Sequence, residues 1–155
     1  MRRLVYALAL SALASSALAA PPTARDPWIR ATPPGVPTAA AYLVLEGHGI
    51  ADRLVDARST VAERVEIHTH VRENGLMVMK RIDALSVPAT GTAVLEPGAD
   101  HVMLIGLREA LLPGTTVTIT LVFERSGATD VAFPVLDARS EQPPRKSAGT
   151  SMGHQ

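Results

Sequence analysis

The dipeptide Asn74-Gly75 constrains this chain more than any other pair of residues in it. Asn-Gly tolerates positive φ at both central positions of a two-residue loop. It therefore favours the type I′ turn whose twist matches an antiparallel strand pair. The dipeptide is flanked by Val61–Val71 (VAERVEIHTHV) and Leu76–Ile82 (LMVMKRI), both extended in character. With Asn74 and Gly75 as the loop, Arg72 faces Met77, His70 faces Met79 and His68 faces Arg81. Successive strand side chains point to opposite faces, so Val61, Glu63, Val65, Ile67 and Thr69 share one side. Arg64, Glu66, His68 and His70 share the other, which reads as the polar, outward side. One turn thus sets two histidines against two methionines on one surface. It does not choose between His68 and His70, because Met79 is opposite one and diagonal to the other.

The rest of the chain reads in the same way. Short apolar-alternating runs are separated by Gly, Pro and Asn turns. Trp28-Ile29-Arg30, Ala40–Glu46, Asp52–Arg58, Thr92–Leu95 and His101–Ile105 are expected strands. Thr115–Glu124 has the clearest alternation, with Val117, Ile119, Leu121 and Phe123 against Thr116, Thr118 and Thr120. Thr129–Leu136 follows it through a Ser126-Gly127 turn. Asp83–Thr92 is irregular, and a turn of helix is expected only around Leu107–Leu111. About eight short strands at this spacing predict an all-β antiparallel sandwich or Greek-key barrel. Hydrophobic residues make up 46% of the 155 but aromatics only 3%, so the core must be mostly aliphatic.

The ends have a different character. Arg2 and Arg3, the apolar stretch Leu4–Ala14 and the small-residue site Ala17-Leu18-Ala19 have the anatomy of a signal peptide over residues 1–19. The apolar stretch is too short to span a bilayer, so no membrane span is expected after cleavage. Residues 20–26 are expected to form a flexible mature N-terminus, residues 27–137 the folded domain, and residues 138–155 a tail without periodicity. The formal charge is zero and no basic stripe occurs, which argues against nucleic acid as partner. No Ser/His/Asp elbow, HExxH or paired-carboxylate motif points to an enzyme.

The chemistry concentrates between His68 and Met103. That stretch holds three of the five histidines, and His68, Met79, His101 and Met103 are spaced H-x10-M-x21-H-x-M. His101 and Met103 are two apart on an extended segment and project the same way. Imidazole and thioether together suit a soft ion, copper(I) above all. There is no cysteine, which removes a blue-copper site, a thiol nucleophile and a disulfide framework together. A thioether binds without losing a proton and survives in an oxidising compartment where thiolates are lost to disulfides. Met77 reads as strand packing. The competing expectation is a secreted β-sandwich interaction module whose His/Met cluster is incidental.

With these residues in view, the chain resembles the periplasmic copper chaperone family called PCuAC. Its H-x10-M-x21-H-x-M signature is matched without a gap, and the resemblance extends over about residues 27–136. It includes the Trp28-Ile29-Arg30 entry, GLMVMKRID, and the GLREALLPGTTVTITLVFERSG segment. The resemblance implies a cupredoxin-like β-sandwich. It also implies a solvent-exposed copper(I) site made of His68, Met79, His101 and Met103, so it selects His68 over His70. The implied partners are the cytochrome c oxidase subunit carrying the dinuclear CuA centre and, in some members, a Sco-type thiol protein. Some members bind copper, copper(II) included, through a His/Met-rich C-terminal extension. Here only Met152 and His154 stand for one, and an inert solvated tail is the simpler expectation.

Overall fold

The protein is described by a computed structural model covering residues 20–137 and 139. The expected signal peptide and nearly all of the expected tail, Met152 and His154 included, lie outside the described residues. Ten strands are present among the described residues: β1 (Thr23–Arg30), β2 (Thr38–Glu46), β3 (Asp52–Arg58), β4 (Ala62–Glu73), β5 (Leu76–Arg81), β6 (Leu85–Val87), β7 (Thr92–Leu95), β8 (His101–Leu107), β9 (Thr116–Phe123) and β10 (Gly127–Leu136). No helix forms among the described residues, and so none is long and apolar enough to cross a membrane.

The strands hydrogen-bond in the order β5-β4-β8-β2-β1-β10-β9-β3-β6. β7 pairs with β2 beyond the end of β8, so Thr38–Ala41 of β2 meet β8 and Leu43–Glu46 meet β7. The path is folded into two layers. One contains β5, β4, β8, β2, β7 and β1, and the other β10, β9, β3 and β6. The architecture is the all-β, cupredoxin-like sandwich that the sequence led us to expect. One pairing departs from a purely antiparallel sandwich: β1 meets β10 in parallel at Ile29↔Val135 and Arg30↔Leu136, where the chain passes from one layer to the other. Such long-range pairing leaves no local pattern in the sequence.

The core lies between the layers and is aliphatic, as the scarcity of aromatics requires. Ile29, Leu43, Leu45, Leu54, Leu95, Val102, Leu104, Ile119 and Leu121 are buried there with Phe133 and Val135. Each buried leucine or isoleucine stabilises the fold by roughly 1.5–3 kcal/mol before entropic costs. The alternation predicted for β9 is observed: Val117, Ile119, Leu121 and Phe123 point inward and the threonines outward. In the β4–β5 hairpin, Asn74 and Gly75 take φ of 51° and 81°. The register is His68↔Arg81, His70↔Met79 and Arg72↔Met77, as read from the turn.

Three expectations are corrected. Residues 20–26 are not a free N-terminus: β1 begins at Thr23, which pairs with Glu46. A bulge between Arg25 and Trp28 carries Asp26 at φ 47° and absorbs Pro27, which has no N–H to give the ladder. The interruption disguises the strand in the sequence. Leu85–Val87 forms a strand too short for any periodicity to show. The turn of helix expected around Leu107–Leu111 is absent. β8 runs to Leu107, and the following loop pairs outward: Leu107 N–H donates to Pro37 O, Arg108 N–H to Val61 O, and Thr32 N–H to Leu111 O. With these groups satisfied across the sheet end, an internal helical turn gains nothing.

Candidate metal centre

The outward face of the first layer holds the candidate residues. On β8, Val102 and Leu104 are buried in the core, so His101 and Met103 point to the other side. β4 pairs with β8 so that His68 lies opposite His101 and Glu66 opposite Met103. β5 then places Met79 opposite His70. On the remaining side β2 aligns Ala40 with Met103, leaving room above a small side chain. All four residues of the His/Met pattern therefore share one face, together with His70, Glu66, Met77 and Tyr42.

His101 is the buried anchor of this face, only 3% exposed although it points away from the core. Its cover is aromatic. Trp28 packs against Tyr42 at 4.6 Å between ring centroids, and Tyr42 lies 6.3 Å from His101. His68 and His70 close the other side at 5.8 and 5.2 Å. Burial lowers the His101 pKa below the ordinary imidazole value. The bond to Ala99 offsets part of this, and the neighbouring His70 and His68 add to the lowering. His101 is therefore neutral at neutral pH, the form that can bind a metal. Burial raises the Tyr42 pKa, opposed in part by the charge of Arg30.

A shallow cleft of about 260 Å³ opens on this face, with His70, Met79, His101 and Met103 among its walls and Tyr42 and Arg30 at one side. Met79 is 44% exposed there. His68 is not one of the walls. Its side chain is 13% exposed, and its Nε2 is hydrogen-bonded to Glu66 Oε2 at 2.9 Å. Its other nitrogen, Nδ1, is buried and without any hydrogen-bond partner. His70 and His101 each donate from Nδ1 to one acceptor, the carbonyl of Ala99, at 3.1 and 3.0 Å. The β7–β8 turn at Glu96–Asp100 holds that carbonyl in place through Glu96 N–H to Asp100 O and Ala99 N–H to Glu96 O.

The electrostatics restrict what this face can bind. Arg30, Arg64, Arg72 and Arg81 share it, and none of them forms an ion pair among the described residues. Glu66 is the carboxylate hydrogen-bonded within the cluster, and the charge of Asp100 also reaches His101. The hydrogen bond from His68 holds the Glu66 pKa below the usual value. Partial burial works against that, and the charges of Arg64 and Arg81 reinforce it. Among the described residues no three His, Cys, Asp or Glu side chains converge as a metal cage. The thioethers of Met79 and Met103 are the further donors on this face. A soft monovalent ion suits neutral donors beside unpaired arginines better than a hard divalent one, which seeks carboxylates.

Sequence reasoning put His68, His70 and Met79 on one hairpin face and gave His101 and Met103 a common direction; the β4–β8 pairing that joins the two, and what supports them, it missed. Glu66 was visible on the histidine side of β4. Nothing local connects Trp28, Tyr42 or the Ala99 carbonyl to the cluster, because their proximity depends on the order β4-β8-β2-β1. His48 hydrogen-bonds Thr23 and does not join the group.

Comparison with known proteins gives concordant results. A family described as lipoprotein LpqE-like matches residues 23–135. Lxx21020 of Leifsonia xyli subsp. xyli, also described as a lipoprotein, is 33% identical over 111 residues, covering 71% of this chain and 66% of its own length. Among solved structures, the copper-bound PCuAC domain from PmoF2 superposes with a TM-score of 0.63 at 26% identity, over 74% of this chain and 91% of that domain. DR1885 from Deinococcus radiodurans superposes in its apo form (TM-score 0.60, 32% identity, 88% and 93% coverage). Its copper(I) form gives a TM-score of 0.62 at 31% identity, with 79% and 83% coverage.

Proposed function

The chain belongs to the LpqE-like lipoprotein family, and from that premise we propose that it is an exported copper(I) carrier acting in the periplasm. The ligands are His68, Met79, His101 and Met103. The observation that carries this reading is the shared outward face. It brings two imidazoles and two thioethers together in a cysteine-free domain, with one imidazole nitrogen, His68 Nδ1, buried and unpartnered. A buried polar atom left without a partner costs about 1–3 kcal/mol, and a soft cation would supply one. PCuAC relatives that bind copper, among them DR1885 in its copper(I) form, support the same reading.

The arrangement suits transfer better than storage or turnover. Met79 on the edge strand β5 is the most exposed of the four, and His101 is the most buried. An incoming donor would displace Met79 first and His101 last, a sequence of ligand exchanges that never releases free copper. The recipient proposed from the resemblance is the CuA-bearing subunit of cytochrome c oxidase, with a Sco-type thiol protein as co-worker. No catalytic step is assigned to the protein.

His70 is the competing ligand, because it lines the cleft and His68 does not. Competition of the purified protein against a chromogenic copper(I) chelator tests both points. Met79→Leu keeps the volume and removes the sulfur, and is expected to weaken binding. Unchanged affinity would remove Met79 from the ligand set. No uptake at micromolar copper(I) would leave a secreted interaction module as the better description. A secondary copper(II) site at Met152 and His154 would appear as a second equivalent lost on truncation after residue 139.

A further inference from the structure

Resting on the copper(I) reading, we infer that Glu66 is a positioning residue that fixes the tautomer of His68, so that this histidine offers Nδ1 to the metal while His101 offers Nε2. The two sides of the inference come from two different acceptors. A neutral imidazole has one N–H donor and one lone-pair nitrogen, and a partner that can only accept decides which is which. Glu66 Oε2 lies 2.9 Å from His68 Nε2, and a carboxylate has no hydrogen to give. The proton therefore stays on Nε2, and the lone pair is on Nδ1. That same Nδ1 is buried and without a partner. At His101 the acceptor is the Ala99 carbonyl, 3.0 Å from Nδ1. A carbonyl also only accepts, so the His101 proton is on Nδ1 and its lone pair on Nε2.

The strand register brings these two differently bonded rings together. His68 and His101 are directly opposed on β4 and β8 with ring centroids 5.8 Å apart. Glu66 is two residues before His68 on the same face, so alternation alone brings its carboxylate alongside the ring. A carboxylate on the second nitrogen of a metal-binding histidine also raises the basicity of the first and fixes the ring plane.

His70 provides an internal contrast. Its Nδ1 also donates to Ala99 O, at 3.1 Å, so it shares the arrangement of His101 and has no carboxylate of its own. If copper uses His70 in place of His68, Glu66 has no part in binding.

The test is long-range proton–nitrogen NMR of the imidazole rings in the full chain, before and after copper(I), for wild type, Glu66→Ala and Glu66→Gln. In the apo wild type His68 is expected as the Nε2–H tautomer and His101 as the Nδ1–H tautomer. On adding copper(I), the His68 nitrogen that shifts is expected to be Nδ1. Glu66→Ala is expected to convert His68 into a tautomer mixture and to weaken copper(I) about 10–100-fold. Glu66→Gln keeps the size of the side chain, but its amide can turn to donate as well as accept, so it is expected to leave the His68 tautomer mixed and the affinity lowered. A protein that merely lost packing at Glu66 would show weakened binding without a change of tautomer. An apo His68 protonated on Nδ1, or a Glu66→Ala variant with tautomer and affinity unchanged, would overturn the role of Glu66. Failure of the wild type to bind copper(I) would overturn the carrier reading itself, whatever the tautomer.

Discussion

Two polar groups are buried at opposite parts of the molecule, and they are treated in opposite ways. Asp52 opens β3 in the second layer and is 5% exposed. Its Oδ1 accepts from the N–H groups of Arg53 and Arg125 at 2.7 and 3.0 Å. Its Oδ2 accepts from the N–H and hydroxyl of Ser126 at 3.0 and 2.7 Å. Both oxygens are fully used, and the carboxylate ties the start of β3 to the β9–β10 turn. On the first layer His101 is buried and His68 half-buried, but each ring spends only one nitrogen within the protein. His101 uses Nδ1, His68 uses Nε2, and the second nitrogen of His68 is left without a partner. Burial with every hydrogen bond made is a structural device. A buried nitrogen with its lone pair unused is what the proposed copper(I) site calls for.

That contrast can be broken most forcefully at His101. His101→Ala is expected to weaken copper(I) by about 100-fold in chelator competition, since it removes the most buried of the proposed ligands. Asp52→Ala should do the reverse. It leaves three N–H groups and a hydroxyl unsatisfied and is expected to cost about 3 kcal/mol, read as a melting temperature lower by roughly 10 °C, with copper affinity unchanged. If Asp52→Ala loses copper at full stability, the division between the two regions fails.

The pH dependence of the apo protein sharpens the same division. Burial by itself would raise the Asp52 pKa, but the hydrogen bonds from Ser126, Arg53 and Arg125 outweigh it and the net shift is downward. A group depressed in the folded state contributes stability above its unfolded pKa and loses it as pH falls through the folded one. Wild type is therefore expected to lose stability through the acid range below about pH 4, more steeply than Asp52→Asn, in denaturant titrations at stepped pH.

Smaller effects separate the neighbours. His68→Ala is expected to weaken copper(I) by about tenfold or more, and His70→Ala by less, since His70 shares the Ala99 carbonyl without a carboxylate of its own. The reverse order would move the site to the four residues that line the cleft. Met77→Leu, on the face but opposite Arg72, is expected to change affinity by less than about twofold, because the swap conserves volume and Met77 gives no ligand.

The residues explain why some of this was readable and some was not. Asn74-Gly75 fixed the β4–β5 register because turn chemistry acts over two residues. The Thr116–Phe123 strand announced itself through alternation on a half-buried sheet. By contrast, β1 is interrupted at Asp26-Pro27, Leu85–Val87 is too short to show a period, and the parallel meeting of β1 and β10 joins residues about a hundred positions apart. The site divides along the same line. Strand parity and the turn put His68, His70 and Met79 on one face and gave His101 and Met103 one direction, but the β4–β8 pairing that merges the two leaves no local signal. What distinguishes His68 from His70 in the fold is the acceptor each ring meets, Glu66 for one and the Ala99 carbonyl for the other. Ala99 O sits on the β7–β8 turn, and no spacing in β4 reports it.

X-ray absorption at the copper edge of the copper(I)-loaded protein tests the central claim most directly. The expected result is a mixed first shell, with imidazole nitrogen from His68 and His101 and thioether sulfur from Met79 and Met103. A shell of nitrogen or oxygen alone, with no sulfur, would contradict it.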